Sequence, residues 1–217
     1  MRVKQSNLKK VPYLVGVTGS FGTGKSLVGN LLKEEGIFVI DTDDIVQNIL
    51  KTRNKTTQKI VAEFGKSIIN NSAGYISRKK LGAVVFRNKL KRKKLELIIH
   101  PEVNRVLVRV ISKNKKGGII AVLIPLLFEC GYENFFHEIW CVICKGKVQL
   151  QRLQKKGFTL SEAKARIEAQ LPIKVKARKV DFVIDNSNDI KSTKKQVEKR
   201  FKQLVRLNHN HHLFCGK

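Results

Sequence analysis

No run of about 18 apolar residues occurs anywhere in the 217-residue chain, so no membrane-spanning helix is expected. Met1 to Lys10 is polar and basic and lacks an apolar centre, which argues against a signal peptide and leads us to expect a loose extension over residues 1–11 and a cytoplasmic protein. Acidic residues are scarce: 17 Asp+Glu stand against 44 Lys+Arg, a formal net charge of +27. A field of this sign draws in polyanions and raises encounter rates, but it does not identify a fold. Basic and aromatic residues do not interleave as in RNA-binding sheets, so the charge is read as solvated faces with no specific nucleic acid partner. There are four cysteines. Cys141 and Cys144 have the spacing of half a zinc or redox motif, but they lie in the apolar run Ile139-Trp-Cys-Val-Ile-Cys144 and are read as core thiols. His209, His211, His212 and Cys215 fall in a polar tail, residues 208–217, and are given no role.

Set against these absences is one strongly patterned segment. Tyr13 to Thr18 is a short apolar run that reads as a buried strand. Gly19-Ser20-Phe21-Gly22-Thr23-Gly24-Lys25-Ser26 follows, with the complete G-x-x-x-x-G-K-S spacing. Apolar Leu27, Val28, Leu31 and Leu32 then recur at helical intervals up to Gly36. A strand, a glycine-rich loop and a helix in this order make a phosphate cradle. Glycines let backbone N–H groups turn into one concavity, and the helix adds its positive end. Lys25 is expected on the β- and γ-phosphates of ATP and Ser26 on Mg2+, with nucleotide contacts from Gly22, Thr23, Gly24, Lys25, Ser26 and Leu27.

Further strands are expected at Ile37 to Ile40, Ile119 to Ile124, Glu138 to Cys144 and Phe182 to Ile184, with helices between them. Residues 45–111 show no clear core strand and read as several helices, broken near Asn70 to Gly74 and at Pro101. Lys147 to Lys156 and Leu160 to Leu171 read as basic helices, and Lys191 to Leu207 as an amphipathic terminal helix. This alternation implies an α/β fold: a doubly wound, parallel five-stranded sheet of the P-loop NTPase type, with ligands beyond the carboxyl ends of the strands. One kinase domain is expected over residues 12–207. Its core is placed at about 12–44, 117–146 and 180–207, a helical substrate-binding insertion at about 45–116 and a lid at about 147–175.

Asp41 and Asp43 follow the second strand. If the chain stays extended, both face one side, where one could order water on Mg2+ and the other accept a hydroxyl proton. The competing use is helix capping by Asp41 or Thr42, and Asp44 reads as an exposed first-turn acid. Arg152 and Lys156 lie four apart on one helix face, suited to a lid that brings cations to a phosphoryl group. His100, before Pro101, reads alone as a packing or capping residue.

Taken in order, these blocks resemble the dephospho-CoA kinase family from about Tyr13 to Val205. The resemblance is carried by Val15-Gly-Val-Thr-Gly-Ser-Phe-Gly-Thr-Gly-Lys-Ser26 and Gly36-Ile-Phe-Val-Ile-Asp-Thr-Asp43. It continues through Phe64-Gly65, Ser77-Arg78-Lys-Lys-Leu81, Val85-Phe86, Leu95-Glu96 and His100-Pro101-Glu-Val103. Ile124-Pro-Leu-Leu-Phe-Glu129, Gln151-Arg152, Arg166-Ile-x-x-Gln170 and Asp181-Phe-Val-Ile-Asp-Asn186 complete it. The resemblance implies ATP-dependent phosphorylation of the ribose 3′-hydroxyl of dephospho-CoA; a monomer is expected, with an oligomer left open. It implies Asp43 as catalytic base with Lys25 and Arg152, and Asp41, Arg78 and His100 on the substrate side. Ser20, Leu27 and Lys156 depart from the family's usual glycine, threonine and second lid arginine, and Val180 from its alanine.

Overall fold

A computed structural model describes residues 12–70, 74–85, 88–114 and 118–214, with side chains to residue 206. The expected extension at 1–11, Phe86 and Gly117 lie outside the described residues. Five strands alternate with nine helices among the described residues: β1 (Tyr13–Gly19), α1 (Lys25–Glu34), β2 (Phe38–Asp41), α2 (Thr42–Leu50), α3 (Lys55–Phe64), α4 (Arg78–Val85), α5 (Lys89–Lys113), β3 (Ile119–Leu123), β4 (Glu138–Ile143), α6 (Gly146–Lys155), α7 (Leu160–Glu168), α8 (Ile173–Ala177), β5 (Phe182–Asp185) and α9 (Ile190–Phe214).

All the strand pairings are parallel, in the order β2-β3-β1-β4-β5. The chain leaves β1 toward one edge of the sheet and, after β3, crosses to the other. The glycine-rich loop at the end of β1 therefore opens into the crevice where the winding reverses. Parallel strands covered on both faces need apolar residues at successive positions, and β1, β3 and β4 are buried almost throughout. One face packs Val15, Val17, Ala121, Trp140 and Val142 against α1 and Val197 and Leu204 of α9. The other packs Leu14, Ile120, Val122 and Ile139 against the α2–α5 group, through Ile45, Ile49, Ile60, Leu81, Ile99, Val103 and Leu107.

Three local expectations are corrected. The helix through Pro101 does not break: α5 runs unbroken from Lys89 to Lys113 with Pro101 inside it. A mid-helix proline costs about 3 kcal/mol. Ile99, Val103 and Leu107, buried on both sides of it, each return roughly 1.5–3 kcal/mol, which is enough to hold the helix together. The terminal helix does not stop near Leu207, because α9 extends to Phe214, into the polar tail. Asp41 and Asp43 do not share an extended segment, since β2 ends at Asp41 and α2 has begun by Thr42. The break near Asn70 is real: Asn70 N–H donates to Tyr75 O at 2.8 Å, and Ile69 bridges Ile76 antiparallel. No helix among the described residues is long and apolar enough to cross a membrane.

Candidate nucleotide and acceptor site

The loop after β1 is shaped by two glycines. Gly24 has φ +103° and forms the N-cap of α1, which opens with no side-chain cap and so leaves its first N–H groups for a ligand. A Cβ on Gly24 would lie 2.0 Å from Asn186 Nδ2, and one on Gly22 (φ +85°) would meet Leu153 Cγ at 2.8 Å. The crowding arises because other elements hold the loop from outside. Asn186, just past β5, donates to Thr23 O at 2.8 Å and accepts from Thr193 Oγ1 at 2.9 Å. Thr23 Oγ1 donates to Ser20 O at 2.9 Å.

At the tip, Phe21 is gripped from two helices. Gln149 Nε2 of α6 donates to Phe21 O at 2.6 Å, and Phe21 N–H donates to Gln170 Oε1, just beyond α7, at 2.9 Å. The Phe21 ring meets Phe158 edge-on at 5.3 Å, and the Arg166 guanidinium lies over both rings. Ser20 is buried and its Oγ accepts from Gln149 Nε2 at 3.2 Å. Leu27 packs its side chain toward the α1 face of the sheet.

Lys25 Nζ donates to Gly19 O and Ser20 O, both at 3.0 Å. Burial pushes its pKa down to about 8. The Asp43 carboxylate pulls the other way, Lys176 adds to the fall, and Asp41 opposes it. Lys25 and the acidic pair are thus brought together. Asp41 also serves as the N-cap of α2, its Oδ1 accepting from Asp43 N–H at 2.9 Å, while burial raises its own pKa. Asp43 and Asp44 are exposed in the first turn of α2.

Arg152, on α6, points at the same loop. Its Nη1 lies 3.7 Å from where a Cβ on Gly24 would stand. That nitrogen is buried and has no hydrogen-bond partner among the described residues. An unpaired buried guanidinium nitrogen carries a desolvation cost that an anion at the loop would relieve. Lys156 is exposed at the C-cap of α6.

The remaining residues fall elsewhere. Arg78 is exposed at the start of α4, and its charge is felt by Arg166. His100 is half-buried on α5, its Nε2 3.7 Å from Cys130 Sγ, and burial lowers its pKa. The neighbouring thiol is pushed up to about 12 by burial and by Glu96 and Glu129, so Cys130 is no nucleophile. Cys141 is buried, and Cys130, Cys141 and Cys144 are free thiols. A cavity of about 450 Å³ opens between α2, α3 and the Ile69–Ile76 bridge, lined by Leu50, Val61, Arg53 and Tyr75 among others. It contains none of the predicted site residues.

Gln149 and Lys176 were not singled out from sequence, and Gln170 and Asn186 were seen without a role. Each is a common polar residue whose partner lies far away in the chain, so no local spacing marks it.

A glycine loop, a desolvated lysine facing two carboxylates and an arginine with one unpaired buried nitrogen describe a phosphoryl-transfer site without naming the acceptor. The comparisons narrow it. The dephospho-CoA kinase family model matches residues 13–192. The chain belongs to the dephospho-CoA kinase family. It is similar to the dephospho-CoA kinase of Carboxydothermus hydrogenoformans, 41% identical over 187 residues that span 85% of this chain and 90% of that one. Among solved structures, a Thermus thermophilus protein superposes with a TM-score of 0.78 at 28% identity, covering 90% of this chain and 99% of its own. The dephospho-CoA kinase from Campylobacter jejuni does so with a TM-score of 0.65 at 30% identity, covering 90% of this chain and 98% of its own. Membership in this family makes the chain a P-loop kinase.

Hard oxygen donors suit Mg2+. Ser26 exposes its hydroxyl in the first turn of α1, and Asp41 and Asp43 stand close enough for their charges to act on Lys25. No group of three or more His, Cys, Asp or Glu ligands forms among the described residues.

Proposed function

We propose that the chain transfers the γ-phosphoryl group of ATP to the ribose 3′-hydroxyl of dephospho-CoA, giving coenzyme A and ADP. The observation that carries this reading is the buried, partnerless Arg152 Nη1 facing a cradle whose lysine is already desolvated. Family membership supplies the acceptor. In this mechanism the α1 N-terminus and the loop N–H groups hold the phosphates. Lys25 leaves the Gly19 and Ser20 carbonyls for the β- and γ-phosphates. Asp43 orients the 3′-hydroxyl and takes its proton. The oxygen bonds to the γ-phosphorus as the bond to the ADP oxygen breaks, with its electron pair leaving on ADP. Arg152 meets the charge that builds on the transferred group, in a site where donors need no reorganisation. Mg2+, held by Ser26 and the phosphates, would neutralise phosphate charge. Asp41, Arg78 and His100 belong to the acceptor side, residues 45–116 carry the acceptor, and α6 and α7 act as the lid.

ADP release tests the reading, with Mg-ATP and dephospho-CoA, adenosine, AMP or CMP as parallel acceptors and product masses recorded. The expected result is one added phosphate on dephospho-CoA only, with turnover reduced by about 10²–10⁴ in Asp43→Asn and ATP affinity retained. ADP formed only with another acceptor would keep the kinase and discard the substrate.

A further inference from the structure

Lys176 is 0% exposed, the most deeply buried charge in the described chain. Its Nζ donates to Pro125 O at 2.7 Å and pairs with Glu129 Oε1 at 2.8 Å. Both partners have a second contact. Pro125 O also accepts from Thr18 Oγ1 at 3.3 Å, the residue that leads β1 into the glycine loop. Glu129 Oε1 also accepts from Leu171 N–H at 2.8 Å, in the turn where the chain leaves α7. The residue before Leu171 is Gln170, which holds the tip of the loop through Phe21. One buried ammonium thus ties together the end of β1, the segment after β3 and the root of α6–α7.

Burying an ion pair is expensive, and an apolar replacement of the same volume often serves stability as well. A buried pair at the joint between moving and fixed parts has another use, because its directional bonds fix one geometry. We propose that Lys176 is a positioning residue for the phosphoryl transfer, latching the lid root and the strand ends in the one arrangement that lets Lys25 and Arg152 reach the same phosphates. The inference rests on the roles given above to those two residues.

The test compares Lys176→Met/Glu129→Gln with the parent protein. The double variant removes both charges together and leaves an amide oxygen for Leu171 N–H, so neither partner is stranded. The expected result is a folded protein whose kcat falls by about tenfold or more while the KM for dephospho-CoA stays within about twofold. Glu129→Gln alone keeps the lysine and both acceptors, and is expected to lose less kcat than the double variant. Unchanged kcat in the folded double variant would reduce the latch to a packing device and overturn the inference. Lys25→Ala is run in parallel. If it turns over normally, the assignment of the site falls and this inference with it; if it is inactive while the double variant is fully active, only the latch fails.

Discussion

Replacing Gly24 with alanine tests whether the loop is held open from outside. Two costs can be read from the structure. The first is backbone strain: at φ +103° a Cβ meets the following carbonyl, costing about 1–2 kcal/mol. The second is crowding, because the new Cβ would stand 2.0 Å from Asn186 Nδ2. Asn186 is buried, so it must give up its bond to Thr23 O and with it the one from Thr193, at about 1 kcal/mol each. The total is roughly 3–4 kcal/mol. Gly36→Ala is the control, since Gly36 also has positive φ, +79°, but nothing lies within 4 Å of its Cβ position. It should show the strain alone. Urea unfolding of both variants gives the difference, expected near 2 kcal/mol, and ATP titration should show weaker binding for Gly24→Ala only. Equal destabilisation of the two, or unchanged ATP affinity in Gly24→Ala, would refute the idea that Asn186 braces the cradle.

Three further outcomes are expected. Lys25 titrates near 8 in the ligand-free protein and binds phosphate as the ammonium, so kcat/KM for ATP should be level at lower pH and fall as pH rises through about 8. In kcat the fall should come later, because bound phosphates favour the charged lysine; a kcat/KM profile flat to about pH 9.5 would contradict this. Arg152→Met should cut kcat by about 10²–10³, with little thermal destabilisation because an unpaired buried nitrogen is lost, and stopped-flow turnover with a melting curve checks both halves. Lys156→Arg should speed turnover, since the fork of a guanidinium binds a phosphoryl oxygen pair that an ammonium cannot, and steady-state kinetics of the single variant decide it.

The sheet was legible because its signal is local. Buried parallel strands such as Ile119–Leu123 are apolar at every position, and the glycine loop between Thr18 and Lys25 is a spacing that little else produces. What was misread depended on distant partners. Pro101 reads as a break within its own window and is overruled only by the packing of Ile99, Val103 and Leu107 on the rest of the fold. Asp41 and Asp43 were placed on one face by strand geometry; their charges do meet at Lys25, but through the N-terminus of a helix. The capping use of Asp41 and its charge on Lys25 coexist, because a carboxylate that accepts one backbone N–H still has lone pairs free.

Lys176 shows where sequence reasoning stops. In a chain with 44 basic residues a lysine between Val175 and Ala177 reads as one more solvated charge, and its 0% exposure follows from Glu129, 47 positions earlier, and from Pro125. The same argument gives the net charge a narrower meaning. Most of the basic residues are exposed and act through the screened field around the molecule. Lys176 and the Nη1 end of Arg152 are removed from water and Lys25 is half-buried; burial, reinforced by the Lys176 charge, lowers the proton affinity of Lys25. An unpaired buried nitrogen such as Arg152 Nη1 costs stability until an anion meets it. The binding energy of the phosphates is therefore largest at Lys25 and Arg152, the two cations that meet them, and the exposed lysines contribute mainly to how fast the phosphates arrive.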